Sequence, residues 1–514
     1  MNPLAEYLKV ACTSTGQATH YNTRREQEDA LVEAHKAVAV QNRTAYALSS
    51  LLPVNDKSRQ IIAFSLLTSG SQTEDQDLEW RVLVSIARML PFNRLMNLFA
   101  DLRKERTANA RTRRLGRYVW QEMAYPFRVI KYRTKFWSLL TLCHIPESTE
   151  SARSEKGRVS ASSDPEKAEL HRWVFGKIKR PEEVVHCELL QKRLRASKDY
   201  SALFDLPFEV AVTVAVEDHG KTAEDFKVEY HQRGKTTRKE ALAVKSTTTK
   251  ERKSEVQVDY RRYSIYELLM HLYRNTGEWS ALRGELASKA EFIGSRLSFP
   301  PRVAVVVDNS GSHLGSGERL HQPRASMEAT LRVLMACEGS EVRPFHVGPP
   351  LEEDSWLKVE GHTELRLPLA RALAWKPDLV IVLSDGYENV RAGSVSQILS
   401  TKAFRNSGIS VIHLNPVAAA ETSSLRRISE SVVPYGLVDV AQLPMVILLG
   451  QAEADPALLE SFFDRVARLL KSPVFKNPPL LEKRVKALCT VSGQAPTNES
   501  DEEPLVLRRE ASQC

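Results

Sequence analysis

RVAVVVDNSGS, residues 302–312, decides how the second half of this chain folds. Five apolar residues, Val303 to Val307, run without interruption into Asp308-Asn309-Ser310-Gly311-Ser312. A short continuous apolar run that ends in a polar turn fits a strand buried on both faces. Related runs follow at Val342–Val347, Leu379–Leu383 (LVIVL) and Ile409–Leu414 (ISVIHL). Between them the periodicity predicts helices at Pro323–Glu338, Pro368–Trp375 and Ser394–Ser407. Strands alternating with helices predict an α/β doubly wound parallel sheet, covered by helices on both faces.

The turn after the first strand carries the chemistry. In an open α/β sheet the loops at the carboxyl ends of the strands form the binding crevice. Asp308, Ser310 and Ser312 occupy alternate positions of one turn, so a carboxylate and two hydroxyls can converge on a hard cation, and Gly311 permits the tight backbone. The third strand ends in Ser384-Asp385-Gly386, which puts another carboxylate at the same edge. Gly361-His362-Thr363, ahead of the Pro368 helix, offers a third hydroxyl. Such an all-oxygen set suits Mg²⁺ or Mn²⁺. The acidic group of a protein ligand is then a favourable sixth ligand. This is a design for binding, and no catalytic residues are expected.

Asp-x-Ser-x-Ser, a later Thr, and an Asp-Gly after a parallel strand resemble the metal-ion-dependent adhesion site of von Willebrand A domains. The resemblance spans residues 299–450. It implies that Ser310, Ser312 and Thr363 contact the metal directly, with Asp308 and Asp385 acting directly or through water. One departure is His313–Gln322 (HLGSGERLHQ), which stands where that family enters its helix quickly. It is expected at the rim of the site, gating the ion or shaping partner choice. A helical region ahead of such a domain is also similar to the Ro (TROVE) ribonucleoproteins, as is Thr363-Glu-Leu-Arg-Leu-Pro368-Leu. That similarity implies contacts with small RNA. Other von Willebrand A proteins are partners of MoxR-type AAA+ ATPases in assembling or remodelling protein complexes, an alternative that needs no RNA surface.

Residues 1–298 read as mostly helical and solenoid-like. Asp77–Leu90, Pro91–Lys104, Ala108–Met123 and Pro126–Ile145 repeat apolar residues at steps of three and four. Further helices are expected at Ala168–Lys177, Pro181–Ala196 and Tyr263–Leu282. Polar loops near 146–167 and 233–262 separate them. A helical extension over 451–490, with a helix at Asp455–Lys471, and a disordered tail over 491–514 complete the expected organisation. Within Arg103–Arg117 lie seven basic residues and one acid, Glu105. Arg103, Arg106, Arg111, Arg113, Arg114 and Arg117 are the RNA-contact candidates, against the plainer reading of a solvated helix face.

The chain has 72 Lys and Arg against 64 Asp and Glu, a net charge of +8, which allows an anionic partner without requiring one. Cys12, Cys143, Cys187, Cys337, Cys489 and Cys514 form no Cys-x-x-Cys pair, so neither a disulfide framework nor a zinc site is expected. No apolar run approaches membrane-spanning length and no secretory pattern opens the chain, so a cytoplasmic protein without a membrane partner is expected. Gly220-Lys221-Thr222 and Gly234-Lys235-Thr236 lack the upstream glycine of a phosphate loop, which argues against nucleotide binding.

Overall fold

The computed structural model describes residues 24–233 and 259–472, apart from 53, 70–75, 148–163, 275–278, 296, 298, 316–319, 352–354, 417–426, 438–439, 441–442 and 455–456. A few residues nearer the ends, among them Tyr7, Leu8 and Ala11, are described as well. The tail 491–514 and most of the two polar tracts lie outside the described residues.

The apolar runs form a five-stranded, all-parallel sheet: β1 (Arg302–Val307), β2 (Glu341–His346), β3 (Leu379–Leu383), β4 (Ser410–Asn415) and β5 (Pro434–Gly436). The order across the sheet is β2-β1-β3-β4-β5. Val305 of β1 sits opposite Pro344 on one side and Ile381 on the other. Side chains alternate between faces, and the two faces bury different partners. Val303, Val305 and Val307 pack into a cluster with helices Gln322–Met335 and Leu443–Ala454, whereas Ala304 and Val306 face Leu365, Leu369, Ala372, Val395 and Leu399. Two-sided burial is why Val303–Val307 of β1 and all of β3 are apolar.

Mostly helical structure precedes the sheet. Asp56–Thr68 packs on Phe92–Lys104, which packs on Arg133–Cys143. Asn55 and Asn109 cap their helices, accepting from the backbone N–H of Ser58 and Thr112. Helices Ile265–Arg274 and Trp279–Gly294 lie against Gln322–Met335, and Ala457–Lys471 lies against Arg43–Ser49 and Gln76–Met89. One continuous apolar cluster therefore runs from the early helices to one face of the sheet.

Several elements differ from the sequence reading. Pro126–Ile145 is two helices, Pro126–Lys131 and Arg133–Cys143, because Tyr132 leaves helical geometry at φ −117°. Pro181–Ala196 holds a short 3₁₀ turn and then Glu188–Ala196, since the Glu169 carboxylate accepts the N–H groups of Val185, His186 and Cys187. Ser394–Ser407 breaks at Thr401, whose hydroxyl accepts from the N–H of Phe404 and starts a second short helix. Tyr263–Leu282 is likewise two helices, with 275–278 outside the described residues. The loop expected up to residue 167 ends earlier, as Asp164 caps a helix beginning at Pro165.

Cys143, Cys187 and Cys337 are buried free thiols. Burial pushes each up to about 12. Among the described residues no helix is long and apolar enough to cross a membrane.

Candidate metal centre

In the order 2-1-3-4-5 the connection from β1 leads to β2 on one side and that from β3 to β4 on the other, so a crevice opens between the carboxyl ends of β1 and β3. Asp308 follows β1 and Asp385 follows β3, one on each lip. The backbone continues the ladder into both loops: Asp308 N–H donates to Leu383 O (2.9 Å) and Ser384 N–H to Leu414 O (3.1 Å).

The third loop is drawn in by backbone and side-chain bonds. Gly311 N–H donates to Gly361 O at 3.1 Å, and Gly361 can take the required positive φ of 78°. The side chain of Asn309 donates to Pro349 O and Lys358 O (2.6 and 3.0 Å) and accepts from Gly348 N–H (2.8 Å), tying the 348–358 segment to the first turn. As a result Thr363 Oγ1 lies 2.8 Å from Ser310 Oγ, and Ser310 Oγ lies 3.2 Å from Ser312 Oγ. Ser310 and Thr363 are buried, whereas Ser312 is exposed and marks the solvent side.

Asp308 is fully buried, and its Oδ2 accepts from Ser384 Oγ at 2.6 Å. Burial raises its carboxyl above the usual aspartate range; nearby Asp385 adds to this, while His313 and the hydrogen bonds of Ser384 and Ser310 oppose it. Asp385 Oδ1 accepts the N–H of Tyr387 at 3.0 Å across Gly386, which stands at φ 81°. Two carboxylates close together in a buried site are stabilised by a proton or a cation between them.

His313 joins them. One ligand atom from each of Asp308, His313 and Asp385 lies within 4.8 Å of the others, and all three residues are buried. The cluster could hold a metal ion, and the donor chemistry fits one: two carboxylates, hydroxyls and an imidazole nitrogen. The rim position expected for His313 is corrected here. Residues Gly311–Leu314 wind into a 3₁₀ turn closed by His313 N–H donating to Ser310 O (3.2 Å), and this carries the ring inward. Residues 316–319 of the same segment are outside the described residues. Ser384, which the sequence does not single out as a site residue, bridges the two carboxylate loops, donating to Asp308 and accepting from the N–H of Gly386. Only a neighbour across the sheet reveals its role.

The arginine candidates divide between residues held by neighbouring side chains and residues left exposed. Arg111 pairs with the buried Glu79, which also holds Arg43. Arg114 stacks 3.9 Å over Trp80, which shares the helix Gln76–Met89 with Glu79. Arg103 instead lies 4.0 Å from the Trp137 ring and donates to Ser138 Oγ. Arg106, Arg113 and Arg117 are exposed.

No protein-family model matches this chain, and no curated protein is significantly similar to it.

Proposed function

We propose that the chain is a non-catalytic binding scaffold that grips its ligand through a divalent ion, Mg²⁺ or Mn²⁺, held at the β1/β3 crevice. The observation that carries this reading is the convergence of three separate loops: Thr363 Oγ1 on Ser310 Oγ, and the Asp308, His313 and Asp385 ligand atoms within 4.8 Å of one another. Asp308, Ser310, Ser312, Thr363 and Asp385 stand in the order of a metal-ion-dependent adhesion site, and the scaffold is accordingly a von Willebrand A-type domain behind a solenoid-like helical region. The exposed hydroxyl of Ser312 marks where an acidic side chain of a partner would reach the ion.

Affinity capture with the full chain, in Mg²⁺, in Mn²⁺ and in EDTA, tests the proposal. The reading expects a protein ligand retained only with the metal and lost in Thr363→Ala; retention indifferent to EDTA contradicts it. A MoxR-type ATPase among the captured proteins would place the chain in complex assembly.

RNA binding is a second reading, supported by Arg103 stacked on the partly exposed Trp137 with Arg106, Arg113 and Arg117 exposed on the same tract. An arginine-on-aromatic surface suits stacked bases and phosphates. Arg113→Glu with Arg117→Glu is expected to release copurifying RNA. Arg111 is unsuitable for this test because it is bound to Glu79.

A further inference from the structure

We propose that His313 is a direct ligand of this metal centre, and that its imidazole makes the site select Mn²⁺, Co²⁺ or Zn²⁺ over Mg²⁺ and Ca²⁺. The inference rests on reading the Asp308 cluster as a metal centre and goes beyond it, because oxygen donors alone would not discriminate in this way.

Three observations point to the ring. First, His313 has no solvent exposure, and its Nε2 is buried without a hydrogen-bond partner among the described residues. A buried polar nitrogen left unpaired is costly, so a ligand for it is expected. Its other nitrogen, Nδ1, has only a long 3.4 Å contact with Ser312 Oγ. Second, a ring nitrogen lies within 4.8 Å of a carboxylate oxygen of both Asp308 and Asp385. Ligands about 2.1 Å from one ion are separated by roughly 3–4 Å, so a small closure of the loops is enough. Third, the 3₁₀ turn that carries His313 begins at the metal-facing Ser310, so the ring and the hydroxyl are fixed by the same backbone bond.

A second histidine shows what a structural role looks like here. His413 of β4 is equally buried and its Nδ1 is likewise unpaired among the described residues, but its Nε2 is 2.9 Å from Ser384 O, and it stands outside the carboxylate cluster. It is a strut between strands. His313 has no comparable bond.

The chemistry follows from the donor set. Mg²⁺ prefers six oxygens in a regular octahedron and parts with water reluctantly. Imidazole suits ions further along the first transition row, whose affinity for nitrogen rises from Mn²⁺ towards Cu²⁺. With the buried His313 taking the place of the exposed Ser312, the ligands are Asp308, Asp385, Ser310, Thr363 and His313, and a six-coordinate ion keeps one position for the partner.

The test uses the full chain, freed of metal and titrated with Mn²⁺ and with Mg²⁺ in separate experiments. Pulsed electron paramagnetic resonance of bound Mn²⁺ is expected to show coupling to a histidine nitrogen, absent in His313→Gln. The wild-type preference for Mn²⁺ over Mg²⁺ should fall by roughly tenfold or more in that variant. Labelling wild-type protein with ¹⁵N-histidine makes the same assignment without any substitution, should His313→Gln fold poorly. Mn²⁺ binding that is weakened by Thr363→Ala yet shows no nitrogen coupling would overturn the proposal while leaving the metal centre standing. Failure of the wild type to bind either ion would overturn both.

Discussion

Glu79 offers a sharp test of how the helical region is held together. Its carboxylate is 2% exposed and receives Arg43 Nε at 2.6 Å and Arg43 Nη2 at 3.3 Å on one side, and Arg111 on the other. The three residues come from three helices, Arg43–Ser49, Gln76–Met89 and Ala110–Met123, so the triad fixes their mutual arrangement. Glu79→Gln keeps the shape and removes the charge, leaving two guanidiniums facing each other. Removing one member of a buried ion pair costs about 3–5 kcal/mol. The arginine side chains are 13% and 26% exposed, so water screens part of this, and roughly 3 kcal/mol is expected. Urea unfolding followed by far-ultraviolet circular dichroism reads the loss directly. Replacing Arg111 by Met in the Glu79→Gln background should recover part of the stability, because one unpaired charge is removed. A Glu79→Gln protein within about 0.5 kcal/mol of wild type would refute the reasoning, since that is the range of an ordinary surface change.

Gly294 ends the helix packed against Gln322–Met335, and a Cβ there would lie 2.6 Å from Ala336 O and 2.9 Å from Val333 O. Both are backbone atoms, so Gly294→Ala should destabilise by about 1–3 kcal/mol in equilibrium unfolding. Gly284→Ala on the same helix meets nothing within 4 Å and should be neutral or stabilising by up to about 1 kcal/mol. His35 is held down to about 3 by burial, with Nδ1 2.9 Å from the Tyr46 hydroxyl. The unfolded chain therefore takes up a proton below pH 6.5 that the folded chain refuses, and stability falls as pH drops towards 3, by about 1.4 kcal/mol per unit. Unfolding midpoints between pH 7 and 4 should show this slope reduced by one proton in His35→Gln; an unchanged slope would count against burial as the cause.

The parts of the fold visible in the sequence are those governed by local pattern. Arg302–Val307 and Leu379–Leu383 could be bounded because five consecutive apolar residues meet a polar turn at each carboxyl end. Asp308 and Asp385 were conspicuous for the same reason, as acids placed directly after buried strands. The strand Pro434–Gly436 has three residues and no periodicity, so only its pairing with His413–Asn415 defines it. The break at Val185–Cys187 was hidden because its cause, Glu169, comes from another helix. His313 lies among Gly, Ser and Leu, a context that reads as surface loop, and its burial arises from a 3₁₀ turn with no sequence signature. The arginine tract illustrates the same limit. Spacing gathers its charges on a helix face, but the acid and the aromatic rings that capture Arg111, Arg114 and Arg103 belong to neighbouring helices.

Crystals of the full chain grown with Mn²⁺ and measured at its absorption edge put the central claim to its most direct trial. The account predicts one anomalous peak in the β1/β3 crevice, within bonding distance of Asp308 or Asp385 and of the Ser310 and Thr363 hydroxyls. Density in that crevice with no anomalous signal, or a manganese ion bound only elsewhere, would contradict it.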